Sequence, residues 1–287
     1  VYKFINLFYR KFQSKKAEYD GRIIVDFLQI GVLALNKPMI QMEGIVKQFG
    51  SITALDNMKF HAYGGEITAI VGDNGSGKST LIQLLTGCLK PDQGVIQIKD
   101  RVFHSLTVKE AMNQGITAVY QNLALDNCKD CAGNLFLGRE LLRFGIFLDY
   151  GAMYRETEKL LGQLHIHIPD IRQPVEKMSG GQRQAVAIAR AVYQNGDIMI
   201  FDEPTSAMGM KETERIMNLF RALKEQGKTI ILISHNLFQV FDISDRICVI
   251  KNGRQIDSFL TRDSSPEQLY QTIIEKEDQT DGEKMDE

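Results

Sequence analysis

The chain has 287 residues, 44% of them apolar and 24% charged, with a formal net charge of -2. That composition suffices for a buried core in one large domain or two modest ones, and the near-neutral balance excludes the strongly basic footprint of a dedicated nucleic-acid binder. Four cysteines at this length, with no secretory signal at the start, argue against a disulfide-stapled secreted scaffold and for a reducing cytosol.

Residues 1–38 carry Lys3, Arg10, Lys11, Lys15 and Lys16 among Phe and Tyr, then an apolar run over 23–35 broken by Asp26 and Gln29. A bilayer span needs about 20 apolar residues, so the run is too short. The segment reads as an extension peripheral to the fold, with a membrane-surface role as the alternative its composition allows. Globular patterning starts at Met39 and is expected to run as one domain over 39–262. Residues 263–287 then form a C-terminal segment whose end, with seven acidic residues against two lysines after Ile274, reads as a disordered tail.

Within the domain, short β-branched runs at Ile67–Val71, Ile116–Tyr120, Ile198–Phe201, Thr229–Ile233 and Ile247–Ile250 alternate with helical stretches, the pattern of an α/β fold with mostly parallel strands. Thr213–Lys224 places Ile216, Leu219, Phe220 and Leu223 at helical spacing, with Gly227 at the C-terminal end. The region 123–187 shows no convincing strand and reads as a helical insertion, with Tyr154–Leu164 its clearest periodic segment. Cys128 and Cys131 form a C-x-x-C without a second pair at ribbon spacing, so incidental thiols are the default and a zinc or redox site the alternative. His165 and His167 in the alternating LHIHI read as a half-exposed face without a metal role.

Directly after the first buried strand stands Gly72-Asp73-Asn74-Gly75-Ser76-Gly77-Lys78-Ser79, a match to G-x-x-x-x-G-K-[ST] followed by the helical Thr80–Leu85. The glycines allow successive N–H groups to face phosphate oxygens, the helix N-terminus adds a favourable field, and Lys78 can bridge the β- and γ-phosphates. Ser79 is left to ligate Mg²⁺. A second apolar strand ends in Asp202-Glu203. In a parallel sheet these carboxylates emerge at the edge where the glycine loop opens. Asp202 can hold Mg²⁺ through water, and Glu203 is placed to polarise a water attacking the γ-phosphate.

Met178-Ser179-Gly180-Gly181-Gln182 precedes an Ala-rich helix. Ser179 is an N-cap and two glycines expose the backbone, which makes a second anion site. One chain does not need two sites for one γ-phosphate. Two chains arranged head to tail would set the second site of each against the nucleotide of the other, so hydrolysis would depend on dimer closure.

Over about residues 40–260 the sequence resembles the ATP-binding cassette ATPases, whose signature L-S-G-G-Q it carries with Met178 for the leucine. The resemblance implies an α/β fold of the P-loop (RecA-like) kind, with a mixed, mainly parallel sheet and a helical signature subdomain. It implies that Phe49 stacks on adenine and that Gly72 to Thr80 bind ATP together with Ser179, Gly180, Gly181 and Gln182. It further implies that Gln121 senses Mg²⁺ and the γ-phosphate, and that His235 is the switch histidine that contacts the γ-phosphate. One departure is Gly209, where an aspartate is usual; communication between the two nucleotide sites is then expected to differ.

Within that family GDNGSGKSTLIQLLTG, VYQNLAL, NLFLGRE and ISHNLFQVF look like the ATPase subunits of bacterial monosaccharide importers, a group in which glycine at this position is common. This resemblance implies a homodimer and a membrane permease contacted near Gln121–Glu140. It also implies an extracytoplasmic sugar-binding protein as an indirect partner, and a place on the cytoplasmic face of the bacterial inner membrane. The alternatives are a cassette importer or exporter for another solute, a cassette ATPase without a membrane partner, and an ordinary P-loop kinase, which has no use for SGGQ.

Overall fold

Residues 37–272 are described by the computed structural model, so the expectations for the N-terminal extension and for the acidic tail lie outside the described residues. The described residues open with β1 (Pro38–Phe49), β2 (Ile52–Tyr63), β3 (Ile67–Val71) and α1 (Lys78–Leu85), then β4 (Gln93–Ile98), β5 (Arg101–Phe103), α2 (Val108–Asn113) and β6 (Ile116–Val119). A mostly helical stretch follows: α3 (Cys131–Leu135), β7 (Leu142–Arg143), β8 (Phe147–Leu148), α4 (Tyr150–Gln163) and α5 (Gly180–Tyr193). The remainder alternates again through β9 (Ile198–Asp202), α6 (Met210–Glu225), β10 (Thr229–Ile233), α7 (Leu237–Ile243), β11 (Arg246–Lys251) and β12 (Arg254–Leu260).

Six strands form one sheet in the order β12-β11-β3-β10-β9-β6, parallel throughout except where β12 pairs antiparallel with β11. All five residues of β3, β9 and β10 are buried, as expected of strands covered on both faces. This explains why they read as continuous apolar runs and not as alternations. On one face α6 lays Ile216, Met217, Phe220 and Leu223 against the sheet. The Phe201 and Phe220 rings meet at 4.4 Å between centroids, at the short edge of the separations where aromatic pairs add about 0.5–1.5 kcal/mol to burial.

The second sheet, order β2-β1-β4-β5, is antiparallel and has no counterpart in the sequence expectations. Its strands alternate imperfectly: the β1–β2 register shifts at several points, and Asn57 adopts a φ of 47°. Such irregularities break the two-residue period by which a half-buried strand is recognised. The buried set is nonetheless apolar, with Ile40, Met42, Leu55, Met58 and Phe60 joining α1 and the inner sheet in one core.

The region 123–187 is mainly helical, and α3, α4 and α5 enclose their own cluster around Phe136, Met153, Leu161 and Val186. One correction applies here: β7 and β8 pair as a short antiparallel hairpin where no strand was expected, too brief to leave a periodic signal. In 165–168, His165 and His167 are exposed while Ile168 is buried. Residues 266–272 form a helix beyond the expected domain end, and its Leu269 is fully buried against β3 and β11 side chains.

Candidate functional site

Parallel pairing decides which loops meet. Val119 of β6 lies level with Phe201 of β9, Phe201 with Leu232 of β10, and Leu232 with Ala69 of β3. Two residues past this row come Gln121, Glu203 and Ser234, and Gly72 lies three past Ala69. The loops after β3, β6, β9 and β10 therefore open at one edge of the sheet, the place where α/β sheets bind ligands. They surround a cleft of about 370 Å³ lined by Asn74, Gly75, Gly77, Lys78, Ser79 and Thr80 of the glycine loop, and also by Gln121, Asp202, Glu203 and His235. Ala54, Ser206 and Ile233 complete the wall, and sequence reasoning did not single them out.

Two glycines have a steric reason to be glycine. Gly72 adopts a φ of 150° with its missing Cβ directed at the Ile250 carbonyl, and Gly77, at 104°, faces the Ala54 carbonyl and the Leu55 side chain. The loop thus wraps between β11 and the antiparallel sheet with no room for a methyl. Lys78 folds back over it, donating to the carbonyls of Gly72 at 2.7 Å and Asp73 at 2.6 Å. Burial pulls the Lys78 ammonium below its ordinary value, and the nearby Glu203, Asp73 and Asp202 charges oppose that pull.

Asp202 is 6% exposed and sits beside Glu203. Burial first, and the Glu203 charge second, push its carboxyl above the ordinary range, while Lys78 and the backbone N–H of Gln121, which donates to it, act the other way. A carboxylate so placed gains from a further cation. Ser79, Asp202 and Gln121 present oxygen donors of the hard kind that Mg²⁺ takes, so the donor chemistry fits that ion. Among the described residues no cluster of three or more His, Cys, Asp or Glu stands ready to hold a metal by itself; the hydroxyl and amide are part of the set.

Glu203 is held through its N–H, its carbonyl and one carboxylate oxygen. Its N–H donates to the Ile233 carbonyl at 3.0 Å. Its carboxylate Oε2 lies 2.8 Å from His235 Nδ1. Its carbonyl accepts from the Ser206 hydroxyl at 3.1 Å and from the buried Gln184 amide at 3.2 Å. The φ of Glu203 is 52°, a left-handed conformation that costs a non-glycine residue about 1–2 kcal/mol and needs such support. The arrangement can offer a fixed carboxylate to a water at the mouth of an anion cradle.

Other expected residues stand away from this cleft. Ser179 caps α5 in a reciprocal capping box with Gln182 and is exposed; neither it, Gly180, Gly181 nor Gln182 lines the cleft of its own chain. Both glycines abut the turn after Glu203: a Cβ on Gly180 would come 3.2 Å from the Ala207 Cβ, and one on Gly181 would come 3.3 Å from the Ala207 carbonyl. Arg190, lower on α5, donates to the carbonyls of Leu123 and Ala124, tying α5 to the segment after Gln121. Phe49 ends β1, is 46% exposed, and lies outside the cleft lining. Gly209 caps α6 and its N–H donates to Glu212. Among the described residues no helix is long and apolar enough to cross a membrane.

Comparison with known proteins agrees with this geometry. The family profile described as ABC transporter matches residues 55–206. The fructose import ATP-binding protein FrcA of Rhizobium meliloti is 42% identical over 227 residues, 77% of this chain and 87% of that protein. The xylose/arabinose import ATP-binding protein XylG of Sulfolobus acidocaldarius is 39% identical over 237 residues, 82% and 93% of the two chains. Among solved structures, the ATP-binding cassette MJ0796 in a dimeric post-hydrolysis state bound to ADP and Pi superposes with a TM-score of 0.70 at 26% identity, covering 78% of this chain and 99% of that one.

Proposed function

This chain belongs to the ABC transporter family, and from that premise we propose that it hydrolyses ATP as one half of a head-to-tail homodimer that drives monosaccharide uptake through a separate membrane permease. One observation carries the dimeric part: the capped, glycine-exposed start of α5 is kept out of the cleft that holds Lys78 and Glu203. A second copy, turned over, would set Ser179, Gly180, Gly181 and Gln182 against the nucleotide bound by Gly72 to Thr80. The sugar-import part rests on the likeness to FrcA and XylG, whose names state fructose and xylose/arabinose import. In this reading the cassette starts with β1 at Pro38 and extends through the helix at 266–272, whose Leu269 is buried in its core, and the residues before it are peripheral. An extracytoplasmic sugar-binding protein delivers the substrate, the permease meets the segment Gln121–Glu140, and the dimer works at the cytoplasmic face of the inner membrane.

Lys78 exchanges its two loop carbonyls for phosphate oxygens, and the loop N–H groups supply the rest of the anion cradle. Phe49 stacks on the adenine. Ser79 and Asp202, with Gln121, would hold Mg²⁺, which would supply charge neutralisation at the phosphates. Glu203 orients a water toward the γ-phosphate and accepts its proton, and His235 steadies the carboxylate and reports the presence of that phosphate. Closure of the two copies moves the permease-facing surfaces, and product charge helps them part. Gly209 at the start of α6 gives the two sites a different link from the one an aspartate would give.

Glu203→Gln tests this mechanism. The variant is expected to bind ATP normally, to accumulate as a dimer on sizing, and to release phosphate about 10²–10⁴-fold more slowly. Phosphate release at the native rate removes Glu203 from its role. A protein that stays monomeric with ATP, with a specific activity indifferent to its own concentration, removes the dimer.

A further inference from the structure

The left-handed Glu203 backbone has three hydrogen-bonding partners: the Ile233 carbonyl, the Ser206 hydroxyl and the Gln184 amide. Of the groups that hold it, Ile233 and Ser206 belong to its own sheet edge and its own turn. The third does not. Gln184 lies on α5, nineteen residues earlier, is 3% exposed, and donates through Nε2 to the Glu203 carbonyl at 3.2 Å. On the same stretch of α5, Gly180 and Gly181 lie against Ala207 closely enough that a methyl on either would press on it. The start of α5 and the segment 203–207 are therefore fastened at two points, one polar and one steric.

We infer that Gln184 is a positioning residue for hydrolysis: its amide holds the left-handed Glu203 backbone, and so the carboxylate, in register with the helix whose first turn meets the partner's nucleotide. The inference rests on the reading of Glu203 as the base and of α5 as the trans-acting element. A residue with a φ of 52° relaxes toward the ordinary region when a support is lost, and relaxation about this bond swings the carboxylate away from His235 Nδ1. A displacement of about 1 Å at a reacting group costs up to about a hundredfold in rate. The effect is confined to the chemical step, because Gln184 lines neither the phosphate loop nor the cleft wall.

Two substitutions separate this from simple packing. Gln184→Met keeps the unbranched length and removes the donor, so ATP turnover by the full-length protein is expected to fall about ten- to a hundredfold with KM for ATP unchanged. Gln184→Glu keeps the shape but presents a carboxylate to a carbonyl; protonation restores an O–H donor. The ratio of Gln184→Glu to native turnover is therefore expected to rise as pH falls from 8 to 5.5, while the Gln184→Met ratio stays flat. Native turnover in Gln184→Met, or a Gln184→Glu ratio that does not move with pH, overturns the inference. Glu203→Gln measured in parallel keeps the two readings apart: full activity there sinks the assignment of the base, whereas an inactive Glu203→Gln beside a fully active Gln184→Met sinks only the role of Gln184.

Discussion

Gly72→Ala is a severe test of why the phosphate loop has its shape. The added Cβ would lie 2.0 Å from the Ile250 carbonyl oxygen and 3.0 Å from Ser76 Oγ, against an ordinary C···O separation of about 3.3 Å. Something must therefore move by about 1.3 Å, the difference between those separations. Ile250 is in β11, whose two preceding residues Cys248 and Val249 pair with β3, so the sheet resists. A φ of 150° adds backbone strain of about 1–3 kcal/mol for any side chain, and forced overpacking adds about 1–3 kcal/mol. The sum, about 2–6 kcal/mol, corresponds to a fall of about 4–24 °C in Tm at the scale of about 2–4 °C per kcal/mol for large domains. Gly75→Ala, three residues on, is the control: φ is 83° but a Cβ there meets nothing within 4 Å, leaving about 1–2 kcal/mol of left-handed strain. Thermal unfolding by calorimetry and ATP titration would be run on both. Gly72→Ala should melt far lower than Gly75→Ala, while ATP affinity should fall in both, because both glycines belong to the anion cradle. Equal melting of the two variants refutes the steric argument.

At Asp202 the cleft sets stability against function. Burial and Glu203 raise this carboxyl above its ordinary value, so the folded chain holds its proton more tightly than the unfolded chain. Ionised Asp202 then subtracts from stability at neutral pH, and the loss is relieved as pH falls through the raised folded value. Asp202→Asn should unfold at a higher temperature than the native nucleotide-free protein at pH 7, with the gap closing toward pH 4, and should lose Mg²⁺-dependent turnover; a lower Tm at pH 7 contradicts the sign. Metal removal discriminates a second pair of ideas. EDTA should stop hydrolysis and added Mg²⁺ restore it, whereas a zinc-selective chelator should change nothing, because burial, with Asp130 adding to it, pushes the Cys131 thiol up to about 12 while Cys128 lies exposed. Activity lost to the zinc chelator would reinstate the C-x-x-C as a site.

Much of the site was legible because its chemistry is written at short range. The glycine loop, the Asp202-Glu203 pair and the SGGQ turn each depend on residues within about one helical turn or one strand of one another, and each adopts the local structure that its spacing demands. The buried strands were legible for the same reason, being continuous β-branched runs. The antiparallel sheet was not: shifts in the β1–β2 register blur its alternation, so no period marks it, although Ala54 of β2 lines the cleft and its carbonyl closes over Gly77. The hairpin β7–β8 is too short to have a period at all.

By itself, then, the sequence determined the family, the α/β class, the anion cradle and the types of group that serve it, since adjacency along the chain is enough to define these. Only the tertiary structure decided that the Glu203 carboxylate lies 2.8 Å from His235 Nδ1, that Ala54 and Ile233 help to wall the cleft, and that Gln184 supports the Glu203 backbone. Those facts follow from the registers of parallel strands that are distant in sequence and from the packing of α5 on a turn across the sheet edge. Contacts of that kind are set by how separate elements fit in space, and no spacing within a single segment encodes them.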